Sequence, residues 1–252
     1  MLEIRGITKH FGNLFALNKI DLNVEEGELL GLVGPNGSGK STLFNIISGH
    51  YHPSAGEVRY RGEKISGLRP DQIARKGIMR VFQANISFGD VTVYENILRG
   101  CYLLGDANLG ELFFNTRRYQ NDERKMKQRV EDVVEFWNLS GWRDNLASSL
   151  PHGLQRVLSL AVAMAPYPKL LLLDEPMTGM HPEEVASMSE HIKRINQQGI
   201  TIILVEHNIK FVLSICPRLV VLNFGQKLAD GVPQEVVGDK EVITAYLGER
   251  VA

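Results

Sequence analysis

The chain has 252 residues, 44% hydrophobic and 23% charged, which excludes disordered and fibrous classes and suits one α/β core with a smaller attached subdomain. A formal net charge of −1 gives the whole chain no electrostatic footprint for nucleic acid, which is therefore not expected as a partner. No run approaches the roughly 18 to 20 apolar residues that span a bilayer, and the amino terminus lacks the apolar stretch of a secretion signal, so any membrane role is expected to come through a partner.

In chain order, the segment "KIDLNVE" puts Ile20, Leu22 and Val24 on one face, the alternation of a half-buried antiparallel strand. With "LEIRGI" before it, this predicts a small β layer at the amino end. "LLGLVG", residues 29–34, is continuously apolar, as expected for a strand covered on both faces of a mainly parallel sheet. "KLLLLDE" and "GITIILVEH" repeat that pattern later. Between Gln83 and Leu150 the strand signals fade. There, Met126, Val130, Val133, Val134 and Trp137 recur at helical spacing, with Asp122 as the expected cap. The prediction is an α/β fold: a core of mainly parallel sheet from residues 1–87 and 166–252, with the β layer, and an inserted helical subdomain over 88–165. Cys101 and Cys216 stand far apart without a C-x-x-C spacing, which fits a reducing cytosol better than a metal or redox centre.

"GPNGSGKST" follows the first buried strand and opens a run, "TLFNIISG", with helical apolar spacing. This is the phosphate-loop pattern in its confirming context of strand, glycine-rich turn and helix. Gly34, Pro35, Asn36, Gly37, Ser38, Gly39, Lys40, Ser41 and Thr42 are the expected nucleotide-binding residues. Glycines let successive N–H groups turn toward phosphate oxygens, and the helix amino terminus adds its dipole. Lys40 would reach the β- and γ-phosphates and Ser41 would meet Mg²⁺. A glycine-rich turn that merely contains Lys-Ser is the bland alternative. "LLLLDEP" ends a buried strand on Asp174 and Glu175, at the sheet edge where α/β proteins bind ligands. Asp174 would serve the magnesium shell and Glu175 an attacking water, the alternative being acids that cap a turn. Gln83 and His207 also end β-like runs; alone, either would read as a surface or satisfied polar residue.

In this order the chain resembles an ATP-binding cassette protein over essentially its whole length. The resemblance implies that Phe11 in "KHFGN" stacks on adenine, that Gln83 links the magnesium site to a membrane subunit, and that His207 contacts the γ-phosphate. Gln83, Glu175 and His207 become the expected catalytic set, with Ser41, Gln83 and Asp174 toward the metal. The segment "ANISFGD" after Gln83 becomes the expected permease contact. "VEHNIKFV", "VFQ" followed by "VTVYENILRG", and "VITAYLGE" resemble the branched-chain amino-acid importer type, which urea and other amide importers also resemble. The implied partners are integral permease subunits, a second cassette and, indirectly, a solute-binding protein, at the cytoplasmic face of the membrane.

One turn departs from the family pattern. Leu150, Pro151, His152, Gly153, Leu154 and Gln155 stand where cassette proteins usually begin Leu-Ser-Gly-Gly-Gln, the turn that reads ATP held by the other cassette. His181 replaces a common Asp in the loop after the acidic strand. Because both departures act on the opposite chain's nucleotide, a heterodimer is favoured over a homodimer. The alternative is a nucleotide-dependent dimerisation module with little hydrolysis. A soluble cassette ATPase of DNA repair or translation would favour a long coiled coil or tandem cassettes, and the sequence has neither.

Overall fold

In the computed structural model, which describes residues 1–82, 88–105 and 109–247, the amino-terminal alternation folds as two long antiparallel strands. These are β1 (Leu2–Phe11) and β2 (Leu14–Val24), paired so that Leu2 faces Val24 and Ile4 faces Leu22. β3 (Leu29–Val33) is buried at every residue and runs into α1 (Lys40–Ile47) through the glycine-rich turn. β4 (Ala55–Tyr60) pairs antiparallel with β1, and β5 (Glu63–Lys64) completes a four-stranded sheet in the order β2-β1-β4-β5. α2 (Pro70–Arg75) and β6 (Ile78–Val81) follow.

The helical stretch begins with α3 (Val93–Cys101), whose start is fixed by a capping box: Glu95 N–H donates to the Thr92 hydroxyl at 3.1 Å, and Thr92 N–H donates to the Glu95 carboxylate at 2.8 Å. α4 (Leu109–Phe113) leads to α5 (Arg117–Phe136), and α6 (His152–Met164) closes the stretch. The apolar stripe of α5 is buried as its spacing predicts, through Met126, Val130, Val133 and Val134, with Trp137 just beyond. Its cap is different. Thr116 accepts from Tyr119 N–H, and Asp122 lies inside the helix, because the first turns, "RRYQN", are polar all round and carry no stripe to mark the start.

β7 (Leu170–Asp174), α7 (Pro182–Gln197), β8 (Thr201–Val205), α8 (Ile209–Ile215), β9 (Arg218–Asn223), β10 (Gln226–Gly231), α9 (Pro233–Gly238) and α10 (Lys240–Leu247) complete the described chain. The second sheet has the order β10-β9-β3-β8-β7-β6. β3 lies parallel to both β8 and β9, and β7 parallel to β8, with β10 antiparallel at one edge. One apolar cluster joins Ile4 and Ile20 of the antiparallel sheet, Phe44 and Ile47 of α1, and Leu172 and Ile203 of the parallel sheet. Each such side chain contributes about 1.5 to 3 kcal/mol on burial, and together they clamp α1 between the sheets.

The described residues fall into two compact units, one within Met1–Arg80, Lys169–Glu175 and Ile192–Ala252, the other within Val81–Pro168 and Pro176–His191. The chain thus leaves the core at residue 81, earlier than the residue 88 expected from sequence, and returns to the helical unit for 176–191, a segment the sequence assigned to the core. Among the described residues no helix is long and apolar enough to cross a membrane.

Candidate active site

β3 delivers its last residue to a turn that Gly34 makes possible. A side chain there would place a Cβ 2.1 Å from the Leu222 carbonyl oxygen, and the backbone sits at φ +149°, so only glycine lets β3 and β9 converge. The turn is fixed by Ser38 N–H donating to the Pro35 carbonyl and Gly225 N–H to the Ser38 carbonyl. Gly39 stands at the start of α1 with no side-chain cap, so the first-turn amides are left for an anion. Lys40 is buried, its ammonium donating to the carbonyls of Gly34 at 2.7 Å and Pro35 at 2.9 Å and to the Ser38 hydroxyl at 3.4 Å. The cation is therefore held inside the loop's own curve.

Two further strand ends reach the same place. Glu175 follows β7 with φ +51°, a left-handed conformation uncommon for a residue with a side chain, and its amide donates to Val205 at the end of β8. Its Oε1 accepts a 2.7 Å hydrogen bond from His207 Nε2. Residues 36–42, Ala16, Glu175 and His207 line one pocket of about 160 Å³. Asp174, one residue earlier, is buried, and its Oδ2 accepts from Arg80 Nη2 at 2.7 Å.

Among the described residues no group of three or more His, Cys, Asp or Glu side chains could by itself enclose a metal. The donor set present, the Ser41 hydroxyl and the Asp174 carboxylate, fits Mg²⁺. That ion takes oxygen ligands and is typically bound by one or two protein groups together with substrate phosphates.

The turn at residues 150–155 belongs to the helical unit. Pro151 stands at the cap of α6, and Gln155 Nε2 folds back onto the Leu150 carbonyl at 2.9 Å. The Glu184 carboxylate closes over Gly153: a Cβ there would lie 2.0 Å from Glu184 Oε1 and would have to displace it. The other oxygen of Glu184 accepts from His181 N–H at 2.8 Å, so one carboxylate joins the turn to the loop that carries His181.

A model of the ABC transporter family matches residues 17–178, and one of the branched-chain amino acid ATP-binding cassette transporter matches residues 226–252. The chain belongs to the ABC transporter family. It is 38% identical over 250 residues to the high-affinity branched-chain amino acid transport ATP-binding protein BraF of Pseudomonas aeruginosa, covering 99% of this chain and 98% of that one. With the corresponding protein LivG of Escherichia coli, identity is 36% over the same shares. A crystal structure of a nucleotide-free ATP-binding cassette from an ABC transporter superposes with TM-score 0.85 at 30% identity, covering 98% of each chain. The ADP conformation of an ATP-binding cassette gives the same score at 31% identity, again over 98% of each chain. ATP hydrolysis is the characteristic activity of this family, and the α/β fold expected from the strand and helix patterns is that of the cassette, as the resemblance implied.

Of the residues the sequence singled out, Asn36 to Thr42 of the phosphate loop, Glu175 and His207 line one pocket, Gly34 and Pro35 lead into it, and Asp174 precedes Glu175 at the end of β7. Gln83, together with the rest of 83–87, lies outside the described residues. Phe11 ends β1 about half exposed, with Tyr51 edge-on at 5.5 Å and Lys9 Nζ 4.9 Å from its ring centre. Sequence reasoning missed Arg80, Glu184, Lys9 and Tyr51. Only Arg80 left a signal, a cation within the apolar run "IMRVF".

Proposed function

We propose that this ABC ATPase energises a membrane importer for branched-chain amino acids or a related small amide or amino-acid solute. The observation that carries the hydrolytic part is the 2.7 Å pair of Glu175 and His207 at the phosphate-loop pocket. The solute class is supported by the names of the relatives and by the carboxy-terminal family match.

Lys40 turns from its loop carbonyls to the β- and γ-phosphates of ATP, and the amides of the loop and of the first turn of α1 hold the remaining oxygens. Ser41, Asp174 and Gln83 would hold Mg²⁺, which would supply positive charge against the phosphates. Glu175 takes the proton of the attacking water, and His207, which donates to Glu175 before substrate arrives, donates to the γ-phosphate as negative charge develops there. Phe11 supplies a face for adenine. Catalysis is mostly positioning and charge stabilisation.

The membrane partner is an integral permease at the cytoplasmic face, with a solute-binding protein acting on its other side. In the helical unit, Phe88 is exposed with the Arg99 guanidinium 4.2 Å above its ring, and buried Asn96 fixes the segment by bonding the Phe88 amide and carbonyl. That rigid aromatic supports a docking role just beyond Gln83. The second cassette is a different chain with a standard turn, since Pro151 offers neither hydroxyl nor N–H and the Glu184 carboxylate sits against Gly153, where a phosphate would be received. The same features support the second reading, a module that ATP clamps without much hydrolysis.

The test is uptake of radiolabelled leucine, isoleucine and valine into vesicles carrying the chain with its cognate membrane subunits and binding protein. The expected result is ATP-dependent accumulation that disappears with Lys40→Ala. ATP hydrolysis without accumulation of any of these solutes, or of urea and short amides, would remove the import reading.

A further inference from the structure

Arg80 reaches three groups at once from a position 7% exposed. Its Nη2 donates to Asp174 Oδ2 at 2.7 Å, and its Nη1 donates to Asn45 Oδ1 at 2.6 Å and Ser48 Oγ at 3.2 Å, with the guanidinium carbon 5.7 Å from the Phe44 ring centre. Asn45 lies on α1, four residues after Ser41, so the two share one helix face a single turn apart. The guanidinium therefore spans β6, the phosphate-loop helix and the last residue of β7, and a planar fork is the one side chain that can hold two such acceptors in fixed directions.

We propose that Arg80 is a positioning residue that locks Asp174 to α1, giving Ser41 and Asp174 one fixed separation for a divalent ion arriving with nucleotide. This rests on the reading of Ser41 and Asp174 as the metal-side pair. Arg80 does not line the phosphate-loop pocket and would act through Asp174. It engages Oδ2 of Asp174 and leaves Oδ1 as the acceptor toward the metal's shell. Groups that orient metal ligands from behind change metal affinity by roughly 10- to 100-fold when lost. The hydrogen bonds of Lys40 to Gly34, Pro35 and Ser38, and that of Gly225 N–H to the Ser38 carbonyl, are made without Arg80.

The test is binding of a methylanthraniloyl ATP analogue to the full chain, titrated with Mg²⁺ and again in EDTA. The wild-type chain should bind more tightly with Mg²⁺. Arg80→Lys keeps a cation but loses the fork, and Asn45→Ala keeps the Arg80–Asp174 pair but frees it from α1. Each should cut the Mg²⁺-dependent gain by about tenfold while affinity in EDTA stays within about twofold. Arg80→Met should lose the gain entirely, and if that variant does not fold the other two carry the test. An undiminished gain in both, or a parallel fall with and without Mg²⁺, would overturn the assignment and make Arg80 a general packing residue. A wild-type chain with no Mg²⁺-dependent gain would instead overturn the metal reading on which the assignment rests.

Discussion

At Phe11 the ring is open enough to receive a base, yet already steadied by Tyr51 and Lys9, so its removal tests stacking with little cost to the fold. Base–aromatic stacking contributes about 1 to 3 kcal/mol, so Phe11→Ala should weaken ATP binding roughly five- to a hundredfold. GTP should bind wild-type chain nearly as well as ATP, because either purine presents the same face. Unchanged affinity in Phe11→Ala, read by fluorescence titration, would make the ring a partner of Tyr51 only. The cysteines give a residue-scale check on the core. Burial pushes the Cys101 thiol up to about 11 and the Cys216 thiol up to about 12, and both side chains are closed to solvent. Neither should be alkylated by iodoacetamide in native protein at pH 8, and both should react fully in urea. Rapid native labelling of Cys216 would show that the α8–β9 connection opens far more than its packing implies.

At the scale of elements, the close approach at Gly153 makes α6 and the loop before α7 depend on one another. Gly153→Ala improves helix propensity by about 1 kcal/mol but pushes its Cβ into Glu184, whose carboxylate must swing away and release His181 N–H. The expected outcome is an unchanged α6 and faster hydrogen exchange at the His181 amide, reproduced by Glu184→Ala. Unaltered exchange in both variants would mean that the carboxylate does not hold this loop. Such couplings mark where sequence reading stops. β3, β7 and β8 were legible because uninterrupted apolar runs bounded by polar residues have few other uses, and the α5 stripe because its period is helical. The start of α5 at Thr116 was not, since a solvated first turn has no apolar face. Nor was the joining of 176–191 to the helical unit, which depends on His191 packing 4.7 Å from the Trp137 ring. The phosphate loop could be read because its residues are contiguous, whereas Arg80 and Asp174 meet across 94 positions of chain.

For the whole molecule, the proposed roles divide by site: Pro151, Leu154 and His181 would act on nucleotide held by the opposite cassette, and Lys40, Glu175 and His207 on this chain's own. One composite site of the proposed heterodimer should therefore turn over and the other mainly hold ATP. A lost hydrogen bond to a charged group costs about 1.5 to 3 kcal/mol, which slows the weaker site roughly ten- to a hundredfold. Glu175→Gln in this chain should then cripple the assembly far more than the matching change in its partner. Equal losses, or full activity from a homodimer, would make the turn at residues 150–155 a tolerated variant.

Glu175 is the proposed base of hydrolysis. The decisive measurement is steady-state phosphate release by the assembled complex carrying Glu175→Gln, with ATP affinity measured on the same preparation. The substitution keeps the size of the side chain and its place beside His207 but removes a proton acceptor, a contribution of about 10²- to 10⁴-fold. Release should fall by at least about a hundredfold with ATP affinity within about twofold of wild type. Phosphate release at the wild-type rate would contradict the assignment of Glu175 as the base and of this pocket as the hydrolytic site.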